Sequence, residues 1–135
     1  MAGSATGSAQ ASIDMAFLER YQQAWSDGDA DRIVEMMTPD GVYEASYGPD
    51  PWGRRYVGRD EIRAGVLRGK SLFPGGHSDH YDTYLFGDHG FARWTSTRVG
   101  QDGSTVDVQG CDFYEFRDGL VSRKIAFRKS FVAPE

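Results

Sequence analysis

The second half of the chain is divided into long segments by three turns that contain glycine, and this feature constrains the fold most. Gly87-Asp88, residues 100–103 and Asp118-Gly119 all have the composition of hairpin turns. They predict four antiparallel strands, at about residues 77–86, 89–99, 104–117 and 120–132. Strands of ten or more residues are long for a flat sheet, so we expect this sheet to curve strongly.

The first half of the chain has the apolar spacing of helices. Ser12 is the expected N-cap of a first helix, and Gly28 is expected to end it. Asp29 can cap a short second helix that contains residues 33–37, and a third helix is expected over residues 59–70. The apolar stripe of the first helix consists of Ile13, Phe17, Leu18, Tyr21 and Trp25.

Between the second and third helices we expect a turn, a strand and an irregular loop. Pro39-Asp40-Gly41 is the turn and residues 42–47 are the strand. Residues 48–58 contain two prolines and three glycines and predict the loop, in which Trp52 and Tyr56 are large enough to cover a pocket. Helices followed by an antiparallel meander predict an α+β fold, with a cone-shaped curved antiparallel sheet wrapped around the long N-terminal helix.

Length, charge and cysteine content limit the functions that are possible. The 135 residues suffice for one domain, which we place at residues 12–135, after a small, polar leader over 1–11 that we expect to be disordered. The net charge of −5 and the lack of a basic run argue against nucleic-acid binding. No apolar stretch approaches the roughly 18–20 residues of a membrane span, and no secretory signal is visible, so we expect a cytoplasmic protein. Cys111 is the only cysteine, which excludes an internal disulfide and a multi-cysteine zinc site.

Asp112 is a carboxylate on an otherwise apolar strand face. Strand alternation gives it the same face as Val106, Val108, Gly110, Tyr114 and Phe116. Burial disfavours an ionised carboxylate and raises its pKa, which would make Asp112 a proton donor near neutral pH. The alternative is a structural aspartate bonded to a buried arginine or a backbone amide. Gly110 is a caution, because a glycine within a strand often marks a bulge that breaks the alternation.

Several stretches of the sequence resemble one superfamily. They are Arg20-Tyr21, Asp27-Gly28-Asp29, Ile33-Val34, Asp40-Gly41, and the segments 58–63, 111–116 and 118–121. Over residues 13–132 the chain resembles the nuclear transport factor 2-like superfamily, in its SnoaL-like and ketosteroid-isomerase-like branches. The resemblance implies the same α+β fold. Function diverges widely among such proteins, so fold alone does not assign it.

The resemblance also implies roles for individual residues. Ketosteroid isomerases use a tyrosine of the first helix and a protonated late-strand aspartate as an oxyanion hole. Tyr21 and Asp112 match these two positions. In SnoaL-like polyketide cyclases the matching aspartate is the acid–base residue. The general-base position of the isomerases on the first strand is held here by Ala45, and the neighbouring Glu44 has the opposite strand parity.

His80 is the candidate for the missing base. His80-Tyr81-Asp82-Thr83 resembles the histidine-containing strand of hexachlorocyclohexane dehydrochlorinase. In that enzyme, as in scytalone dehydratase, an aspartate after the first helix pairs with the histidine. Asp27 lies near that position, although it can equally belong to a capping turn while His80 faces solvent. A histidine is well suited to proton abstraction near neutral pH. If the strand register differs by one residue, His77 becomes the base candidate.

The remaining candidates are pocket-lining side chains. Arg123 alternates with Val121, Ile125 and Phe127, and it could pair with Asp112, bind an anionic substrate, or extend to the rim. If it pairs with Asp112, it lowers the pKa of that carboxyl. The expected ligand-binding residues are Tyr43, Tyr47, Trp52, Trp94, Tyr114, Arg123 and Phe127.

These observations favour an enzyme and leave two alternatives open. We expect a cofactor-independent isomerase, cyclase or dehydratase that acts on a small hydrophobic carbonyl compound, since no glycine-rich nucleotide loop follows a strand. Three scattered histidines predict no metal site, with His77 and His80 beside Asp79 or Asp82 as a weak exception. The alternatives are a non-catalytic ligand-binding domain and an assembly module. Cys111 and Phe113 lie opposite to Asp112, so we expect a homodimer through the convex sheet face.

Overall fold

The computed structural model describes residues 13–129. In chain order the elements are helix α1 Met15–Asp27, helix α2 Ala30–Glu35, strands β1 Met37–Asp50 and β2 Gly53–Val57, helix α3 Arg59–Leu72, and strands β3 His77–Phe86, β4 His89–Val99, β5 Thr105–Arg117 and β6 Leu120–Arg128. The predicted α+β architecture is confirmed. None of the helices between residues 13 and 129 is long and apolar enough to cross a membrane.

The strands form one curved sheet in the order β2-β1-β6-β5-β4-β3. Strands β3 to β6 are the antiparallel meander that the turns predict, and β2 pairs antiparallel with β1. The expectation of a wholly antiparallel sheet is wrong at one place, because β1 and β6 are parallel. β6 is the last strand of the meander and leaves one edge free, which β1 covers.

Helix α1 lies on the inner face of the sheet, as predicted. Asp14, not Ser12, is its N-cap, since the Asp14 carboxylate accepts a hydrogen bond of 2.8 Å from the Phe17 N–H; Ser12 is outside the described residues. Gly28 ends the helix in a left-handed conformation with φ 65°. The helix buries Leu18 and Tyr21 of the predicted stripe and the neighbouring Ala24. The Tyr21 ring packs edge-on against Tyr114, with 6.1 Å between ring centroids.

The segment between α2 and α3 differs from expectation. α2 ends at Glu35, and β1 runs from Met37 through the predicted Pro39-Asp40-Gly41 turn. The β1–β6 register shifts between Met37 and Val42, an irregularity of the kind that tolerates a proline within a strand.

The predicted loop at 48–58 is instead a hairpin of β1 and β2. Its glycines allow a close backbone approach, because a Cβ on Gly53 would lie 2.0 Å from the Ala45 carbonyl oxygen. The glycines that indicated a loop are therefore required by the hairpin.

Strand β6 contains a bulge that reverses its alternation. Phe116 pairs with Val121, whereas the preceding Glu115 pairs with Arg123, so Ser122 is an extra residue. As a result Val121 and Lys124 are both buried on the inner face. Gly110 does not form the bulge that a glycine within a strand can indicate, because the β4–β5 register is continuous on both sides of the Trp94↔Gly110 pair.

Candidate functional site

A cavity of about 250 Å³ opens between the inner face of the sheet and the helices α1 and α3. Its apolar wall is formed by side chains from five elements and the segment after α3: Trp25, Tyr43, Tyr47, Val66, Phe73, Trp94 and Val108. Asp112, His80 and Lys124 are the ionisable side chains at its buried end, where side-chain exposure is 8% or less. This position makes the cavity the candidate active site.

Asp112 is at the centre of this buried end and is only 1% exposed. Its Oδ1 accepts a hydrogen bond of 3.0 Å from the Trp94 indole N–H and lies 3.5 Å from Lys124 Nζ. Its Oδ2 accepts a hydrogen bond of 3.3 Å from the Tyr114 hydroxyl and lies 3.7 Å from His80 Nε2. Each oxygen of the carboxylate thus accepts a hydrogen bond, and the Lys124 ammonium lies beside Oδ1.

The charge state of Asp112 differs from the sequence-based expectation. Burial raises its pKa, but the Lys124 charge, the His80 ring nearby and the hydrogen bond from Trp94 oppose burial and hold the pKa below its usual value of 3.8. The structure therefore contradicts the expected upward shift of this pKa and favours the ionised form of Asp112. The paired cation is Lys124, not Arg123.

Lys124 is a buried ammonium group beside aromatic rings. Its Nζ lies 3.8 Å from the centroid of Trp25 and 4.8 Å from that of Tyr43, which stabilises the cation. Desolvation lowers the pKa of Lys124 below 10.5, and the attraction of Asp112 only partly offsets this. Such a group can stabilise a developing oxyanion and transfer a proton more readily than a surface lysine.

His80 faces the cavity rather than solvent, with a side-chain exposure of 8%. Its carboxylate partner is Asp112, whereas Asp27 accepts a hydrogen bond of 2.9 Å from Gln23 at the end of α1. His77 is also at the cavity but lies at its mouth, with a side-chain exposure of 52%. The register therefore favours His80 over His77 as the buried histidine.

Tyr21 is fully buried but does not line the cavity. The Tyr114 hydroxyl contacts Asp112 instead, and it also accepts a hydrogen bond of 3.4 Å from Gln22. Burial raises the pKa of Tyr21, and its hydroxyl has no hydrogen-bond partner among residues 13–129. The expectation that Tyr21 and Asp112 both reach the pocket is wrong for Tyr21.

The predicted ligand-binding residues divide into two groups. Tyr43, Tyr47 and Trp94 line the cavity, and Tyr114 lies behind Asp112. Trp52 lies in the β1–β2 turn, 44% exposed, with the Arg55 guanidinium 4.7 Å from its ring, so it is not a lid over this cavity.

Arg123 and Phe127 lie on the outer face of the sheet. Arg123 is 3.9 Å from Glu44 and 4.0 Å from Glu115, and Phe127 packs on Phe113 with 5.9 Å between ring centroids. The bulge at Ser122 explains this difference. Val121 points inward, but the extra residue shifts the alternation after it, so Arg123 and Phe127 point outward and Lys124 points inward. Lys124 was missed for the same reason.

No carboxylate of β1 reaches the cavity within the described residues. Ala45 is buried in the core, and Glu44 forms a 2.8 Å ion pair with Arg55. The proton-transfer groups of the cavity therefore come from β3, β5 and β6.

Gly110 makes this arrangement possible. A Cβ at this position would lie 2.3 Å from Trp94 Cη2, so the absence of a side chain leaves room for the indole ring. The ring position in turn allows the indole N–H to bind Asp112.

A comparison with known protein families agrees with this architecture. Residues 18–124 match the model of the SnoaL-like domain. The chain belongs to the SnoaL-like domain family. No curated protein matches the chain.

Solved structures share the fold of this SnoaL-like domain. A nuclear transport factor 2-like protein of unknown function from Mesorhizobium loti is 23% identical, with TM-score 0.68, over 85% of this chain and 89% of that chain. A protein named as a candidate polyketide cyclase from Xanthomonas campestris pv. campestris is 19% identical, with TM-score 0.64, over 83% and 87%. A hypothetical protein with a ketosteroid isomerase-like fold from Catenulispora acidiphila, in complex with trimethylamine, is 15% identical, with TM-score 0.71, over 86% of each chain. These similarities show the fold.

Proposed function

We propose that this SnoaL-like domain is a cofactor-independent acid–base enzyme of the isomerase, cyclase or dehydratase type. Its substrate is a small hydrophobic molecule with a carbonyl group. The observation that carries the proposal is the buried cluster of Asp112, His80 and Lys124 at the end of an apolar cavity. Ionisable groups that are buried together in a cleft mark functional sites. The family and the polyketide cyclase name of one similar structure support the same class.

The geometry suggests a division of roles. His80 and Lys124 approach different oxygens of Asp112, so a carbonyl compound beside the carboxylate can meet both. In the proposed step, neutral His80 takes a proton from the carbon next to the carbonyl. The electrons of the broken C–H bond form a C=C bond, and the carbonyl π electrons move to its oxygen.

The charges of the cluster match this step. The resulting enolate oxygen is stabilised by the Lys124 ammonium, and Asp112 stabilises the imidazolium that forms on His80. Return of the proton to another carbon would complete an isomerisation. We assign the oxyanion role to Lys124 rather than Tyr21, because Lys124 lines the cavity and Tyr21 does not.

A proton-exchange screen tests this proposal without knowledge of the natural substrate. A panel of enolisable ketones is incubated with the protein in D₂O, and the loss of the α-proton signal is followed by NMR. We expect the wild type to accelerate exchange for at least one ketone, relative to the same ketone without protein. Asp112→Asn should give no such acceleration. If no ketone that binds undergoes exchange, the acid–base proposal fails.

A ligand-binding domain without catalysis is the second candidate. The observation that favours it is Ala45, which holds the usual base position on β1 and leaves no carboxylate of that strand in the cavity. Binding of ketones without exchange would support this candidate.

We also propose that the domain forms a homodimer through the outer face of its sheet. Aromatic rings from four strands form a row on this face, in the order Tyr84, Phe91, Phe113 and Phe127. The centroids of successive rings lie 6.4, 5.2 and 5.9 Å apart. Phe113 is 45% exposed and Phe127 is 53% exposed, and an apolar patch of this kind favours association.

Phe113→Glu should therefore convert a dimer into a monomer, because it places a charge at the centre of this row. Light scattering at micromolar concentration measures the mass. Leu67→Glu is the matched control, since Leu67 is 42% exposed on α3, away from the row. A wild-type protein that is already monomeric would contradict the proposal.

A further inference from the structure

The candidate active site has the opposite charge to the chain. Among residues 13–129, four basic side chains line the cavity: Lys70, Arg98, Lys124 and Arg128. The carboxylates of the same residues that line it are Asp27 and Asp112, which leaves an excess of two positive charges. The whole chain carries a formal charge of −5. A cleft with a local excess of one sign concentrates ligands of the other sign.

The basic residues at the mouth have no acidic partner in the described part of the chain. Lys124 pairs with Asp112, but no carboxylate of residues 13–129 lies within 4.0 Å of Lys70, Arg98 or Arg128. Several arginines away from the cavity are paired, including Arg93 with Asp82 at 2.8 Å. The mouth cations are therefore available to an anionic ligand.

Arg98 and Arg128 flank one position of the cavity wall. Arg98 on β4 pairs with Val106 of β5, and Arg128 on β6 pairs with Gly110, so Val108 lies between them along β5. Both arginines line the cavity together with Val108. The Arg98 guanidinium carbon lies 3.8 Å from the centroid of the Phe73 ring, and this stacking holds the planar group at the mouth.

We propose that the substrate carries a carboxylate at the end remote from its reacting carbonyl. Arg98 and Arg128 bind the carboxylate, whose planar geometry matches the guanidinium fork. The apolar body of the molecule lies along Val108 and Trp94, and its carbonyl reaches Lys124. The site therefore selects an aromatic or alicyclic keto acid over the corresponding neutral ketone. The position of the carbonyl rests on the proposed function, whereas the binding of the carboxylate does not.

Two molecules of the same shape test this selection: 2-naphthoate carries a carboxylate and 2-naphthamide replaces it by a neutral amide. Binding is followed by NMR through the three indole N–H signals of the protein. Trp25 and Trp94 line the cavity and should shift, whereas Trp52 lies outside it and should not. We expect 2-naphthoate to bind at least about tenfold more tightly than 2-naphthamide, as charge-assisted hydrogen bonds exceed neutral ones.

Single substitutions assign the effect to the mouth of the cavity. Arg98→Gln and Arg128→Gln should each weaken 2-naphthoate binding by about tenfold and change 2-naphthamide binding by less than about twofold. Arg93→Gln is the matched control on the other face of β4 and should leave both affinities unchanged. Three results would each overturn the proposal. The two compounds could bind the wild type with equal affinity, the variants could weaken the binding of both compounds equally, or the Trp25 and Trp94 signals could fail to shift. Because no turnover is measured, these outcomes are separate from those of the proton-exchange screen.

Discussion

Replacing Asp112 with asparagine should lower the free energy of unfolding by about 3–5 kcal/mol, the usual cost of removing one partner of a buried ion pair. The variant leaves the Lys124 ammonium, whose side chain is 6% exposed, without its counter-charge. It also weakens the acceptor for the Trp94 indole and the Tyr114 hydroxyl. Urea denaturation of the wild type and the variant at the same pH measures the difference.

Two further variants distinguish this cause from a general loss of packing. Asp107→Asn is the matched control, because Asp107 is exposed on the same strand, and its cost should stay below about 0.5 kcal/mol. The double variant Asp112→Asn with Lys124→Met removes both charges and should recover part of the stability. A cost below about 1 kcal/mol for Asp112→Asn alone would contradict a buried ion pair.

His80→Ala should reduce kcat by a factor of about 100 to 10,000 on the substrate that the exchange screen identifies, as expected for loss of a general base. His80 is the buried histidine of the cavity and the one that contacts Asp112. The fold should survive, because His80 lies at the wall of a cavity. Its removal also leaves the Asp112 carboxylate paired with Lys124.

His77→Ala is the matched control for this experiment. His77 lies on the same strand and borders the same cavity, but it is half exposed and 4.0 Å from Asp79. It should keep near-full activity. If His77→Ala or Glu44→Ala loses activity while His80→Ala keeps it, the choice of base is wrong.

The position of Asp112 could be predicted from the sequence because the alternation of β5 is uninterrupted. Its register with β4 is continuous from Thr105 to Glu115, so one face contains Val108, Asp112 and Tyr114. The hairpin turns of the meander were predicted for a similar reason, since each turn has a local signal of glycine and aspartate. Features that depend only on residues close together in the chain could therefore be predicted from the sequence.

The partners of Asp112 could not be predicted in the same way. The bulge at Ser122 moves Lys124 to the inner face, and a bulge is defined by pairing with another strand rather than by local composition. The pKa of Asp112 depends on Lys124, which the sequence did not place beside it, so burial alone predicted a shift in the wrong direction. The β1–β2 hairpin was missed because Gly48 and Gly53 indicate a loop locally, although they allow close packing of two strands.

The pH dependence of stability follows from the ionised state of Asp112. Its pKa in the folded protein lies below 3.8, so the unfolded chain binds the proton more tightly. The stabilisation is therefore fully present above the pKa of the unfolded state. It is lost as the pH falls below about 3.8 and through the lower pKa of the folded state.

Titration of the Asp112 carboxyl carbon by NMR tests the central claim most directly. The signal is assigned by comparing ¹³C-labelled wild type with Asp112→Asn, and its chemical shift is followed from neutral pH into acid. We predict that Asp112 stays ionised down to a pH below 3.8, because Lys124, His80 and Trp94 stabilise the carboxylate. A pKa above 3.8 would contradict the ion pair and would restore Asp112 as a protonated hydrogen-bond donor.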